Sequence, residues 1–228
     1  MELTLLHKEH LVDNIWAFRF QPTEPLAWTA GQYVRVELPQ DNPDSEGTKR
    51  WFTNSAAPYE GVLQITTRIT QSSFKQTLVA IKEGSSALQL IEKPDGDFIW
   101  QDSSLPIVFI AGGIGITPFY SILKQRIHDG LSIPATLIYG GRTNDLPFRA
   151  EFAQWAATSQ GFTVHYVVGK PLTAESLAEI VPSIDQSLVY LSGPEPMVEA
   201  LGNKLKAIGL PPAQLKQDFF PNYNGTNY

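Results

Sequence analysis

The chain has 228 residues, 43% of them hydrophobic and 18% charged, enough apolar material to exclude disorder as the dominant state and to build one large domain or two modest ones. Seventeen basic against 23 acidic side chains leave a net charge of −6, which argues against a nucleic-acid partner because neutralising phosphates needs a basic face. The absence of cysteine excludes disulfides, thiolate nucleophiles, Cys-ligated zinc and conventional iron-sulfur clusters, so any redox chemistry requires a non-covalent cofactor.

The opening segment MELTLLHKEH is charged from its second residue and shows no basic region followed by an apolar stretch. No secretory signal is expected, and the cytoplasm is the default compartment. His7 and His10 are read as loop surface residues, since no third ligand adjoins them and no metal site is expected. Up to about residue 100 the apolar pattern is short and alternating, as in Tyr33-Val34-Arg35-Val36-Glu37-Leu38 and Val62-Leu63-Gln64-Ile65-Thr66. That period of two predicts antiparallel β structure, a barrel or a sandwich. Residues 40–49 are polar and turn-rich and read as a loop, while Phe74, Leu78 and Ile81 share a helical face over residues 73–82.

Asp102-Ser103-Ser104 reads as a linker, giving expected domains at residues 1–103 and 104–228. Beyond it the texture changes to an apolar strand, Pro106-Ile107-Val108-Phe109-Ile110-Ala111, then glycines and a helix over residues 119–127. Further strands are expected at residues 135–139, 163–168 and 188–191, and helices at 149–158, 174–180 and 196–208. Strands that alternate with helices and are apolar throughout predict a doubly wound parallel α/β sheet. The longest apolar region, residues 105–120, is broken by Gly112, Gly113, Gly115 and Pro118, well short of the roughly 20 residues of a membrane span.

Two segments carry chemistry. Gly112-Gly113-Ile114-Gly115-Ile116-Thr117-Pro118 links a strand to a helix. It is either an ordinary tight turn or a nucleotide site, in which glycines admit a pyrophosphate to the backbone and the helix N-terminus supplies free N–H groups. Arg50-Trp51-Phe52-Thr53 is either a strand with one core aromatic and an outward arginine or a flavin contact, in which the aromatic stacks, the arginine meets a phosphate and the hydroxyl reaches N5. His128 at a helix end and His165 in a strand receive no role. No Gly-x-Ser-x-Gly elbow points to a hydrolase, and the carboxylates are scattered.

Taken together, four motifs resemble those of the ferredoxin-NADP reductase superfamily in order along the chain: Gly31-Gln32-Tyr33, Arg50-x-Phe52-Thr53, Gly113-x-Gly115-x-Thr117-Pro118, and Ser192-Gly193-Pro194-Glu195-Pro196-Met197. They span about residues 31–197. The resemblance implies a six-stranded antiparallel barrel holding flavin, favouring FAD over FMN, followed by an α/β domain for NADPH or NADH. It implies that Arg50 pairs with a flavin phosphate, Phe52 beside Trp51 packs on the ring, and Thr53 donates to N5. The segment Arg68-Ile69-Thr70-Gln71-Ser72-Ser73-Phe74-Lys75 resembles the family's phosphate-binding strand and helix start. There Ser72 or Ser73 caps the helix, contacts phosphate, or does both. Gly113, Gly115, Thr117, Pro118, Gly193, Pro194 and Met197 would hold the pyridine nucleotide.

Ser192 stands where the family carries a cysteine near the reacting carbons, so with Thr53 it takes a catalytic position, and slower or differently tuned hydride transfer is expected. Arg142 and Lys170 follow predicted strands and are either solvated surface or partners of a 2′-phosphate, the latter favouring NADPH. In the aromatic tail Asp218 to Tyr228, Phe219 or Phe220 either covers the flavin or completes the last strand and an interface. The implied function is an NAD(P)H-dependent flavoprotein reductase, expected as a monomer, passing electrons to an external ferredoxin-like, haem or ferric, or quinone acceptor. The alternatives are a reductase using free flavin as substrate and a non-catalytic module that binds redox nucleotides.

Overall fold

The computed structural model describes residues 1–220. The chain forms two compact units, Met1–Ile99 with Tyr120–Gln125, and Trp100–Phe119 with Arg126–Tyr228.

In the first unit six strands, β1 (Glu2–Val12), β2 (Ile15–Pro22), β3 (Tyr33–Glu37), β4 (Lys49–Thr53), β5 (Leu63–Arg68) and β6 (Leu88–Leu90), form one sheet in the order β4-β3-β6-β1-β2-β5. Every pairing is antiparallel. Alternate side chains, among them Leu3, Leu5, Phe18, Phe20, Val34, Val36, Leu63 and Ile65, make the inner face. The sheet closes just past β4. Ser55 N–H donates to the Gln64 carbonyl at 2.9 Å, Gln64 N–H donates to Asn54 Oδ1 at 2.9 Å, and the hydroxyls of Ser55 and Thr66 meet at 2.7 Å. Those bonds join the two outer strands and remove free edges, making a barrel.

Helix α1 (Ser73–Ala80) lays Phe74 and Leu78 on the barrel core. It stops short of the expected residue 82 because Ile81 is extended, with ψ 132°. His7 and His10 stand on β1 rather than in the expected loop. His7 Nδ1 lies 3.0 Å from Glu83, and His10 bonds the Asp13 carbonyl. Glu60 lies between Arg19 (3.0 Å) and Lys124 (2.9 Å) with 8% of its side chain exposed. Burial alone would raise its pKa, but the Lys124 and Ala57 N–H donors and the Arg19 charge hold it below the ordinary 4.5.

The second unit alternates β7 (Ile107–Gly112), α2 (Thr117–His128), β8 (Ala135–Gly141), α3 (Arg149–Thr158), β9 (Phe162–Val168), α4 (Ala174–Ile180), β10 (Leu188–Pro194), α5 (Glu195–Ala207) and β11 (Leu215–Phe220). The middle of α2, Tyr120–Gln125, groups with the first unit. All strand pairings are parallel, in the order β11-β10-β7-β8-β9. The chain winds outward from β7 in one direction, then returns to β10 on its other side, so a topological switch point lies between β7 and β10. Val108, Ile110, Ile138, Val189 and Leu191 from the sheet pack with Val198, Leu201 and Leu205 of α5. The fold is an antiparallel β-barrel followed by a doubly wound parallel α/β unit. Among the described residues no helix is long and apolar enough to cross a membrane.

Candidate functional site

In the first unit the alternation of β4 separates its motif residues. Arg50 and Phe52 both turn to Phe74 of α1: the guanidinium lies 5.1 Å from the Phe74 ring centre and the two phenyl centres are 5.8 Å apart. Phe52 is 8% exposed and belongs to the barrel core, whereas Trp51 is 44% exposed, edge-on to Tyr33 at 5.4 Å and under the Arg35 guanidinium at 4.8 Å. Thr53, paired with Tyr33 across β3, is buried. Arg68 ends β5 and bonds Asn14.

Ser72 and Ser73 stand at the start of α1, where the Ser73 N–H and the Ser72 hydroxyl converge with Arg50 Nη2. Three donors, one of them cationic, make an anion seat. An internal carboxylate fills it. Asp44 Oδ2 accepts from Ser73 N–H at 2.9 Å and from Ser72 Oγ at 3.1 Å, and Oδ1 accepts from Arg50 Nη2 at 3.1 Å. Burial by itself would raise the Asp44 pKa, but the Ser73 N–H, the two serine hydroxyls and the Glu46 N–H outweigh it and hold it at about 2. Sequence reading missed Asp44, which lies in the polar segment taken as a plain loop.

In the second unit β7 runs into a 3-10 turn, Gly113–Ile116, that leads to α2, with Gly113 at φ +52°. Gly115 lies against the end of β10. A Cβ there would stand 2.4 Å from the Ser192 carbonyl oxygen and 2.6 Å from Gly193 Cα, so only glycine lets the turn settle on that strand. The Thr117 hydroxyl donates to the Ile114 carbonyl at 3.1 Å and fixes the turn, and Pro118 follows in the first turn of α2.

Beside this turn, at the C-terminal ends of β7, β8, β9 and β10, lies a cleft of about 620 Å³. Arg142, Lys170, Pro194 and Met197, all expected from sequence, line it. Gly113, Gly115, Thr117, Pro118 and Gly193 are not among its lining residues, although Gly113 and Gly193 adjoin the lining residues Gly112 and Pro194 in the chain. Sequence reading missed the glycine pair Gly140-Gly141, Leu172 and Lys204. Lys204 projects from α5 and is legible only once that helix is placed against β10. The lining residues include three cations, Arg142, Lys170 and Lys204, and no carboxylate.

Ser192 is fully buried, and its Oγ donates to Asp218 Oδ2 at 3.4 Å, the residue beside it in β11. Phe219, next to Gly193 in the same pairing, is 45% exposed. Phe220 is the last residue described, and the rest of the expected tail, residues 221–228, lies outside the described residues.

Residues 109–202 match the oxidoreductase NAD-binding domain family. The chain is 28% identical over 226 residues to the flavohemoprotein of Burkholderia sp. (strain TH2), covering 91% of this chain and 56% of that protein. It is 28% identical over 208 residues to the toluate 1,2-dioxygenase electron transfer component of Pseudomonas putida, covering 86% and 59%. Residues 109–202 thus belong to an oxidoreductase NAD-binding domain, and nearly the whole chain is similar to flavohemoprotein and electron-transfer reductase proteins. In fold, the chain is similar to a ferredoxin NADP+ reductase from Neisseria gonorrhoeae with bound FAD and NADP, at a TM-score of 0.78 and 19% identity, with 96% of this chain and 98% of that one covered. The chain spans little more than half the length of the two relatives named above.

Proposed function

We propose that this chain is an NAD(P)H-dependent flavoprotein reductase that uses FAD, prefers NADPH and passes electrons to an external acceptor. The observation that carries the reading is the cleft at the switch point, where an open α/β sheet binds its ligand. Its three cations and lack of a carboxylate suit a dinucleotide bearing a 2′-phosphate, whereas a plain ribose diol is usually recognised by an acidic side chain. Gly115 and Gly113 keep the turn free of side chains for a pyrophosphate, and the N-terminus of α2 contributes its dipole.

The first unit fits a flavin on the chemistry of its donors. Arg50, the Ser72 hydroxyl and the Ser73 N–H hold a carboxylate now, and the same set suits a phosphate. Thr53 is proposed as the hydroxyl donor to the ring, with Phe52 supporting it from the core side and Trp51 offering exposed aromatic surface. Bound flavin supplies a two-electron acceptor able to release electrons singly, while the protein positions and shields. Ser192 would act on the nucleotide side through its small polar side chain, oriented by Asp218. The first unit is thus read as the flavin domain and the second as the NAD(P) domain. The acceptor is proposed to be an electron-transfer protein, a haem or ferric centre, or a quinone.

The test is steady-state NADPH and NADH oxidation with added FAD across an acceptor panel of those classes. Turnover with NADPH well above NADH supports the reading. No oxidation with any acceptor at saturating FAD overturns it.

A further inference from the structure

Arg50 is fully committed without any ligand. Its Nη1 donates to the carbonyls of Glu46 (2.8 Å), Gly47 (2.9 Å) and Lys49 (2.8 Å), its Nη2 pairs with Asp44 and with Glu46 (3.0 Å), and only 13% of the side chain is exposed. Asp44 is equally committed, for besides its three acceptor contacts at the seat its own N–H donates to Ser73 Oγ at 2.9 Å, and Oδ1 also accepts from Glu46 N–H at 3.0 Å. The carboxylate therefore takes the donors that a phosphate would need, with the same sign of charge. Two anions cannot share three donors at hydrogen-bond distance without strong repulsion.

We propose that Asp44 is a built-in occupant of the flavin-phosphate seat, which a flavin phosphate must displace in order to bind, so that the flavin is held exchangeably rather than as a permanent resident. This rests on the reading of the first unit as a flavin domain. The loop carrying Asp44 can leave: Asp41, Asn42, Pro43, Ser45 and Glu46 are exposed, and Gly47, at φ +74° with open space where a side chain would stand, supplies a pivot. Expulsion of the loop frees Arg50 together with the start of α1, because the guanidinium's carbonyl partners Glu46 and Gly47 belong to the same loop. The apparent affinity for flavin is the intrinsic one reduced by the fraction of molecules whose seat is open. The FAD that serves the proposed reductase is then a loosely held, exchangeable cofactor.

The experiment is calorimetric titration of the flavin-free full chain with FAD, FMN and riboflavin, on the wild type, Asp44→Asn and Asp44→Ala. Asp44→Asn keeps the shape and one acceptor oxygen, so it tests charge with the loop intact, and circular dichroism verifies the fold of each variant. Tighter FAD and FMN binding in both variants by about tenfold or more, with riboflavin changed less than twofold, is the expected result. Riboflavin carries no phosphate and does not need the seat. Equal FAD affinity in wild type and Asp44→Asn, or riboflavin tightened as much as FAD, overturns the inference while leaving the flavin reading in place. If no protein of the set binds any of the three flavins, the flavin reading itself fails and the inference falls with it.

Discussion

Replacing Gly115 by alanine places a methyl group 2.4 Å from the Ser192 carbonyl oxygen and 2.5 Å from its carbon, atoms of a β10 backbone that is hydrogen-bonded on both sides. No side chain can rotate away to make room, so either the 3-10 turn lifts off β10 or the strand bends. Forced overpacking of this kind costs about 1–3 kcal/mol. For a chain of this size each kcal/mol lowers Tm by roughly 2–4 °C, so Gly115→Ala should melt about 2–12 °C below the wild type. On the proposed role of this turn at the pyrophosphate, lifting it should also lower NADPH affinity by at least about tenfold, the equivalent of roughly 1.4 kcal/mol. Differential scanning calorimetry and a nucleotide titration on the same preparation read both effects. A variant with unchanged Tm and unchanged NADPH affinity would refute the argument that Gly115 seats the nucleotide turn on β10.

Other perturbations separate roles that the sequence motif lumps together. Lys204→Ala should weaken NADPH binding by about tenfold with NADH changed less than twofold, measured by fluorescence titration; equal losses for both coenzymes would place Lys204 away from the 2′-phosphate. Phe52→Ala should cost about 3–5 kcal/mol by urea denaturation, because it empties a core site, while Trp51→Ala should stay within about 0.5 kcal/mol. Glu60 titrates below its ordinary 4.5 in the folded chain, so its contribution is complete above that value and is lost as pH falls through the lowered one. Glu60→Gln should therefore be less stable than wild type near neutrality, and in unfolding followed by circular dichroism that difference should shrink as pH falls below 4.5, so that stability varies more with pH in wild type than in the variant.

Much of the second unit was legible because its strands are apolar on both faces and its helices are periodic. Helices α3 and α4 lie at the expected residues, and the strand from Ile107 runs into the glycine turn as expected. The first unit was legible in kind but not in detail. β1 is eleven residues long yet carries His7, Lys8, Glu9 and His10 in succession, so its outer half has no alternation to read. β6, at three residues, is defined by its partners β1 and β3 rather than by its own pattern. At the candidate site, the residues expected from sequence were those with a motif, the turn glycines and Arg50, and the cations that follow predicted strands, Arg142 and Lys170. Asp44 and Lys204 were missed for a common reason. Each acts through a tertiary juxtaposition, Asp44 with a helix start 29 residues on and Lys204 with strand ends belonging to other βα units. Ser192 drew notice by its departure from a motif, but its bond to Asp218 depends on the pairing of β10 with β11, which no local pattern announces.

On the proposed function, reduced pyridine nucleotide delivers electrons to a flavin on this chain. Anaerobic mixing of the FAD-supplemented protein with NADPH, followed by flavin absorbance, tests it most directly. The yellow flavin band should bleach at a rate that saturates with NADPH concentration, and faster than with NADH at equal concentration. An unbleached spectrum with both coenzymes, in a sample where titration shows FAD to be bound, would contradict it.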